Sequence, residues 1–484
     1  MGIEKQLLED FRLFVGRLLW KIVSSKSEVI TVKKEYGDRG VVMKYLFMDE
    51  KGPQNSFKIS RPFNKTDKLS YANDNMHSYV ANVVQIDEFD YKNIEQKYQE
   101  IVAAYLSNRP QLRESLAKKG KELKGLDLLK SNFEYGIASM RKNELKFYTG
   151  LLDLLLEYNV ENLLFLVSKM SIITSSRLIN FLYFLDSETV FSAFIFKYIV
   201  TKYAEVEASE EVVKALLDKS LSTKKILELI RNDMITISRK NVENARMSRQ
   251  IYIYNQVIEV IDLVLNYRTE FTEPNLDLSF DWSKVKWAFD LWLTEQRNTG
   301  AKNQYRLFLD EGIPQDTFNN IDLYQVDGEC NSGDYIGLQI TDMIVVLIGK
   351  LVSQLNSNSK YDFEKPDQRV LLCGEYYNFS EEQFNLIKKV QQFILARKGK
   401  YHFINDAYFD DSVLLETYIG YISSYDTFEN FNKVEFKRHS ELHMADFIKM
   451  SDIKFKEGIK TEILAKRMFG SIKAAVEAEM FRPL

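Results

Sequence analysis

Apolar and polar residues alternate with a strand-like period in a few short stretches of the chain and with a helical period in most of the rest. The strand-like stretches lie in the first third of the chain and again after residue 300, whereas residues 175–300 carry long helical patterns. The predicted strands are Glu28–Lys33, Val41–Met48, Ser78–Ile86, Asn162–Ser168, Tyr305–Leu309, Asp322–Val326 and Arg369–Cys373. We therefore expect an α/β core that is interrupted by helices.

Helical spacing defines the remaining elements and, with them, the domain organisation. The predicted helices include Ile3–Val23, Tyr91–Leu116, Arg141–Tyr158, Val242–Arg268, Trp282–Asn298 and Asp334–Gln354. A capping box at Ser380 and Gln383 opens another helix, which we expect to end at Gly399. The expected segments are an N-terminal helix (1–27), the first part of the core (28–174), a helical insertion (175–300), the second part of the core (301–354) and a mostly helical C-terminal domain (355–484).

The composition is that of a soluble globular protein. With 484 residues, of which 45% are hydrophobic, the chain can form more than one core. Its two cysteines, Cys330 and Cys373, form neither a disulfide framework nor a CxxC pair, which is typical of a reducing cytoplasm. The most apolar run, Ile336–Val352, is interrupted by Asp342 and other polar residues, so it does not resemble a membrane span. We expect a cytoplasmic protein with no membrane partner.

The net charge limits how the protein could contact nucleic acid. A formal charge of −4 argues against a broad basic surface that coats a polyanion. Contact with a nucleic acid or a nucleotide would therefore be local. Lys118, Lys119 and Lys121 form one basic stretch near such a contact, although a solvated helix end is the slightly favoured interpretation.

Acidic residues follow three of the predicted strands, each shortly before a glycine: Asp49 with Glu50, Asp310 with Glu311, and Asp327. Carboxylates at the ends of adjacent strands converge on one edge of a sheet. Hard cations such as Mg²⁺ prefer oxygen ligands, and rigid strands hold such ligands in place. Asp before Gly is also common in ordinary turns, so the turn and metal interpretations have equal weight for each residue.

Asp342 is harder to explain by a turn. It interrupts Ile336–Ile348, whose helix should be buried nearly all round. An unpaired buried carboxylate is costly, so it should find a cation, a hydrogen-bond donor or a cleft. A functional role is favoured over a helix cap or an ion pair with a nearby lysine.

Three short motifs occur in a fixed order along the chain: Tyr45–Gly52 (YLFMDEKG), Glu122–Gly125 (ELKG) and Gly337–Met343 (GLQITDM). They resemble the opening Asp-Glu-Ser-Gly strand, the Glu-containing element and the closing Leu-Gln-Leu-Ala-Asp-Leu helix of the bacterial domain of unknown function 3800 family. The resemblance covers roughly Val41–Ser168 and Tyr305–Val352. It implies an α/β ribonuclease H-like core with a large helical insertion and a mostly helical C-terminal region.

The same resemblance implies a site and an activity. It identifies Asp49, Glu122, Asp310 and Asp342 as catalytic carboxylates and as ligands of Mg²⁺ or Mn²⁺. Nucleases of this fold cut phosphodiesters with two metal ions. The implied function is a metal-dependent nuclease or related phosphodiesterase, in phage defence or a mobile element.

The chain departs from the family pattern at Lys51, where serine is usual, and at Thr341, where alanine is usual. A fixed positive charge at Lys51 either binds phosphate or marks lost activity. As substrate-binding residues, Lys51 and Lys124 are expected to hold the phosphate backbone rather than to recognise bases.

Two alternatives remain open at this stage. One is a catalytically inactive ribonuclease H-like scaffold whose helical regions hold a protein partner, which Lys51 favours slightly and the four acidic positions oppose. The other is a zinc site at His439 and His443, four residues apart. The zinc site is disfavoured because Glu441 is not in the metalloprotease position.

Overall fold

A mixed β-sheet of six strands carries three of the candidate residues, Asp49, Lys51 and Asp310. The computed structural model describes residues 42–51, 58–59, 63, 69–70, 78–129, 133–189, 191–244, 247–266, 271, 280, 282–297, 303–357, 360–361, 369–370, 372–395, 403–405 and 409–478. The predicted helix Ile3–Val23 and the predicted strand Glu28–Lys33 lie outside these residues.

The strand order places the two predicted parts of the core side by side. Across the sheet the strands are β10 (Phe403–Asn405), β5 (Glu161–Ser168), β4 (Ser78–Asp87), β1 (Val42–Lys51), β6 (Asn303–Asp310) and β7 (Gln325–Cys330). The strands β1, β4 and β5 pair in antiparallel fashion, whereas β10 runs parallel to β5 and β7 runs parallel to β6. Two-residue strands form two further pairs: β2 (Lys58–Ile59) with β3 (Leu69–Ser70), and β8 (Lys360–Tyr361) with β9 (Arg369–Val370).

Helices account for most of the described residues, as the sequence predicts. They are α1 (Glu88–Ser107), α2 (Pro110–Lys119), α3 (Gly125–Leu128), α4 (Lys142–Glu157), α5 (Lys169–Glu188), α6 (Ala193–Val206), α7 (Glu210–Leu217), α8 (Thr223–Lys240), α9 (Ser248–Asn266), α10 (Trp282–Arg297), α11 (Ile336–Ser357), α12 (Glu381–Ile394), α13 (Phe409–Ser423), α14 (Phe428–Asn432), α15 (Phe436–Phe469) and α16 (Ile472–Glu477). Short 3₁₀ segments occur at Gly136–Ser139, Gln315–Phe318 and Gly374–Tyr377.

Alternation along the strands separates two hydrophobic layers. Phe47 of β1 faces a core built with α1, α4, α11, α12 and α13, whereas Leu46 and Met48 face a second core on the opposite side of the sheet. The second core is closed by α10, through side chains such as Phe289 and Trp292. Successive strand residues point to opposite faces, so this pattern also fixes which face each polar side chain of β1 reaches.

A third hydrophobic cluster belongs to the helical region between β5 and β6. Side chains of α5 to α9, among them Phe181, Leu227 and Ile261, form this cluster. The helix α10 also lies within residues 175–300, yet it packs on the sheet.

Three predicted boundaries are wrong, and each has a local cause. The strand β1 continues to Lys51 rather than ending at Met48, because its pairing with β4 extends through Lys51. The predicted helix Tyr91–Leu116 is two helices, because Pro110 lacks an amide donor and disfavours helical backbone at the residue before it. The strand predicted at Asp322–Val326 begins only at Gln325.

The C-terminal region is mostly helical, as predicted, with two differences. The capping box at Ser380 and Gln383 is present, but α12 ends at Ile394, well before Gly399. The sequence also gave no indication of β10, which adds to the edge of the sheet beside β5.

The helix α11 is long and apolar enough to cross a membrane by length and composition alone. However, 83% of its apolar window is buried inside the protein. It packs against the sheet and belongs to the first hydrophobic core. We therefore assign it as the central helix of a soluble fold.

His439 and His443 are core residues, and every ring nitrogen of the pair is hydrogen-bonded. The hydroxyls of Tyr377 and Thr417 lie 2.7 and 3.1 Å from the two nitrogens of His443. His439 contacts the Tyr421 hydroxyl at 2.8 Å and the Phe431 carbonyl at 3.1 Å. A zinc ion would have to displace these partners, so this cluster gives no support to a zinc site.

The buried His443 should make folding stability depend on pH. Burial lowers the pKa of His443 to about 3, whereas an unfolded histidine titrates near 6.5. The unfolded chain therefore binds the extra proton first, and stability falls as pH decreases below about 6.5. Between pH 7 and pH 5 this loss should reach about 2 kcal/mol. Urea unfolding should show that the free energy of unfolding depends less on pH in His443→Gln than in wild type. Equal pH dependence in the two proteins would contradict the lowered pKa of His443.

Candidate active site

Asp49 is held on the face of β1 that packs against α11. It shares that face with Phe47 and Lys51, because alternate residues of a strand point the same way. The side chain is 4% exposed, and one carboxylate oxygen accepts a hydrogen bond from the Glu50 amide at 2.6 Å. Asp49 thus lies inside the strand and not in a turn after it, which corrects the sequence-based boundary.

Asp310 reaches the same place from the neighbouring strand. It is the last residue of β6, and a register irregularity separates it from Phe308 in the pairing with β7. The carboxyl groups of Asp49 and Asp310 lie close enough for the charge of Asp310 to raise the pKa of Asp49.

Asp342 approaches from α11. Its carboxylate accepts a hydrogen bond of 2.6 Å from the Gly125 amide, and the residue is 8% exposed. Gly125 must be glycine here, because a Cβ atom would lie 2.8 Å from the Cβ of Val346. We refer to Asp49, Asp310 and Asp342 as the carboxylate cluster.

The close fit between α11 and β1 explains the GLQITDM motif. A Cβ atom on Gly337 would lie 2.1 Å from the Phe47 ring, so only glycine allows the helix to approach this closely. The Thr341 hydroxyl then donates its proton to the Gly337 carbonyl at 2.7 Å and lies 3.3 Å from the Phe47 carbonyl. Threonine therefore fits at position 341. The close contact between α11 and β1 also places the next residue, Asp342, beside the sheet.

Glu122 lies beside this cluster in a separate network with Lys124 and Ser332. The Lys124 ammonium is 2.8 Å from the Glu122 carboxylate and donates to the Ser332 hydroxyl at 2.7 Å. That hydroxyl in turn donates to Glu122 at 2.8 Å. Burial on its own would raise the pKa of Glu122, and it is the largest single influence. The hydrogen bonds together outweigh it and lower the pKa of Glu122 to about 2.

The carboxylate cluster has the opposite electrostatic character. Burial is the largest cause that raises the pKa of Asp49 well above its ordinary value, and repulsion from the neighbouring carboxylates adds to it. Burial also raises the pKa of Asp310 and of Asp342. The charge of Lys124 opposes the rise at all three positions. Buried acids that repel one another accept either protons or a cation.

Lys51 lies close enough to Asp342 for its charge to lower the pKa of that carboxyl group, against the dominant effect of burial. It follows Asp49 by two residues and therefore shares its face of β1. Within the described residues, the Lys51 side chain has no recorded hydrogen bond or ion pair. Its position is compatible with contact to an anionic group at the cluster.

Other candidates from the sequence lie apart from the cluster. Asp327 belongs to β7 itself and pairs with Arg306 at 2.6 Å, so its interpretation as a residue just after a strand is wrong. Lys118 and Lys119 lie in the last turn of α2, where the helix dipole stabilises positive charge. Both residues and Lys121 are exposed. These three lysines therefore fit a solvated helix end.

Asn82 is a site residue that the sequence analysis missed. It lies on β4 directly opposite Asp49 and is completely buried. Neither its amide nitrogen nor its amide oxygen has a hydrogen-bond partner in the described part of the chain. A polar residue inside the apolar run Tyr79–Val84 was a signal, but its significance depends on a pairing register that the sequence does not reveal.

The donor set suits a hard divalent cation. The cluster offers carboxylate oxygens from three elements, and the unpaired amide of Asn82 faces the same space. Buried polar groups without partners call for an ion or a water. As the side chains stand, no group of three or more His, Cys, Asp or Glu residues in the described ranges is close enough together to hold a metal ion. The site therefore matches a divalent cation in the type of its ligand atoms and in the elements from which they approach, but not in the present spacing of the side chains.

Comparison of the chain with models of known protein families, with curated proteins and with solved structures found no match. The function must therefore be inferred from the chemistry of the site.

Proposed function

We propose that the protein is a metal-dependent phosphodiesterase or nuclease whose active site is the carboxylate cluster. The observation that carries the proposal is the convergence of three acids from β1, β6 and α11, of which Asp49 and Asp342 are buried and Asp310 is partly buried. Strongly perturbed carboxyl groups concentrated at one place are typical of functional sites. Buried acids that have only a structural role are usually each paired with a hydrogen-bond donor or a cation.

The arrangement of the sheet supports a ribonuclease H-like core. Antiparallel β1, β4 and β5 adjoin the parallel pair β6 and β7, with helices on both faces. The three motifs that resemble the domain of unknown function 3800 family lie around the cluster: β1, the segment before α3, and the first turns of α11. We propose membership of that family on this basis.

Each residue of the site then has a role. Asp49, Asp310 and Asp342 would hold Mg²⁺ or Mn²⁺, and Asn82 would orient a ligand or a bound water. A bound divalent cation supplies Lewis-acid stabilisation of phosphate oxygens and lowers the pKa of water. Lys51 would bind a phosphate oxygen beside Asp342, while Lys124 keeps Glu122 ionised and in place.

One observation favours the alternative, an inactive scaffold. The Lys124 ammonium already offsets part of the negative charge of all three cluster residues. A cluster neutralised in this way could persist without a cation. The two hypotheses differ in whether the carboxylates bind a metal.

Thermal unfolding with Mn²⁺ tests this difference. A cation that binds only the folded state should stabilise wild type by about 2.7 kcal/mol when its concentration is one hundred times its dissociation constant. Asp49→Asn should abolish the shift and, in EDTA, should be at least as stable as wild type, because ionisation of an acid with a raised pKa opposes folding. Asp327→Asn, which changes a surface ion pair, should keep the shift. An equal shift in Asp49→Asn would place the cation elsewhere.

A further inference from the structure

A cavity of about 440 Å³ opens between α1, α2 and the segment that leads into α11. This volume is within the range of pockets that hold small molecules. Its walls come from three separate elements, so it is part of the tertiary fold and not a dent in one helix. None of the roles assigned above uses it.

The cavity borders the proposed active site. Gln339 lines it and donates a hydrogen bond of 2.9 Å to the Ser332 carbonyl. The hydroxyl of the same Ser332 donates to Glu122 at 2.8 Å. A group bound in the cavity would therefore lie next to the Glu122 network, beside the carboxylate cluster.

Tyr98 lines the cavity and lies close enough to Asp342 and Glu122 to be affected by their charges. The side chain is 1% exposed, and its hydroxyl has no hydrogen-bond partner among the described residues. Burial raises the pKa of Tyr98 far above its usual value, and the charges of Asp342 and Glu122 add to the rise. A buried neutral phenol without a partner is a hydrogen-bond donor that a bound group or an ordered water would satisfy.

The lining combines flat apolar surface with neutral polar groups. Val102, Leu106 and Ile336 supply apolar contacts, and Gln99 and Gln339 supply amides that both donate and accept. Two acids, Glu95 and Asp334, outnumber the single cation Arg113. This charge balance disfavours a phosphate and suits a neutral heteroaromatic ring.

We propose that the cavity binds one nucleobase of a single-stranded nucleic acid whose backbone passes the carboxylate cluster. The proposal rests on the proposed function and names its substrate class. A base inside a duplex is stacked and cannot enter such a pocket, whereas a single strand presents its bases freely. The aliphatic and amide contacts of this lining would hold a base without strict sequence preference.

The test measures binding of fluorescein-labelled single-stranded octamers by anisotropy in EDTA, where no cleavage occurs. Ala103 lines the cavity from an exposed position of α1, so Ala103→Trp should fill it without disturbing the core. Ala104 is the next residue, equally exposed and outside the lining, and Ala104→Trp is the matched control. Ala103→Trp should weaken binding about tenfold, and Ala104→Trp should not.

Octamers with one abasic position complete the test. Loss of the critical base should weaken binding by wild type about tenfold and leave the affinity of Ala103→Trp unchanged, because that variant no longer uses the pocket. Gln99→Ala should show a smaller loss. Equal affinity of wild type and Ala103→Trp, indifference to every abasic position, or no binding at all would overturn the proposal. Base-dependent binding by wild type in EDTA, together with no cleavage when Mn²⁺ is added, would reject the phosphodiesterase and keep the pocket.

Discussion

Asp49→Asn should lower kcat for Mn²⁺-dependent phosphodiester cleavage at least about a thousandfold, because cation-mediated stabilisation of the transition state contributes several kcal/mol. The variant should stay folded, since the buried carboxyl group is opposed by its surroundings and the amide has a similar shape. Asp310→Asn should behave similarly, because Asp310 belongs to the same cluster and its charge raises the pKa of Asp49.

The phosphate contacts should give a different kinetic signature. Lys51→Ala should mainly raise KM and reduce the salt dependence of binding, with a much smaller effect on kcat. Steady-state kinetics on a labelled single-stranded substrate would separate the two patterns. Asp327→Asn serves as the control, since the Asp327 carboxylate on β7 is already paired with Arg306 on the neighbouring strand β6. Similar losses of kcat in Asp327→Asn and Asp49→Asn would remove the special role of the cluster.

Gly337→Ala should destabilise the protein by about 3 kcal/mol, a large effect for one methyl group. The added Cβ would lie 2.1 Å from the Phe47 ring, inside a contact that neither the helix nor the strand can relieve locally. Relief requires α11 to move away from β1, and this movement would also withdraw Asp342 from the cluster. The variant should therefore lose cation binding in addition to stability.

Gly420→Ala provides the matched comparison. Gly420 also lies within a helix, α13, but a Cβ there meets nothing within 4 Å. Alanine is the better helix former, so this change should be neutral or stabilising by up to about 1 kcal/mol. Urea unfolding of both variants measures the difference. A similar stability for the two would show that the contact between α11 and β1 is looser than described.

Local patterns predicted the elements better than their junctions. Strand alternation correctly located β4 and β5, and helical spacing correctly located α4 and α11. The break before Pro110 was also visible in the sequence, but the continuous helical pattern on either side obscured it. The extension of β1 to Lys51 depends on pairing with β4, which is a long-range property that no local pattern records.

An acid of the site could be predicted from the sequence where it interrupts an apolar pattern. Asp342 was identified because a carboxylate is costly in a buried helix, and the structure gives it a donor from Gly125. Asn82 and Ser332 were missed because their relevance comes from neighbours 33 and 210 residues away in sequence, Asp49 and Glu122. Proximity of that kind arises only when the sheet is assembled.

Anomalous diffraction from crystals grown with Mn²⁺ tests most directly whether the carboxylate cluster is a cation site. We expect one or two Mn²⁺ peaks with carboxylate oxygens of Asp49 and Asp310 at about 2.1 Å, and none at these positions in Asp49→Asn crystals. Mn²⁺ peaks only at surface sites, with none at the carboxylate cluster, would contradict the assignment of this cluster as the catalytic centre.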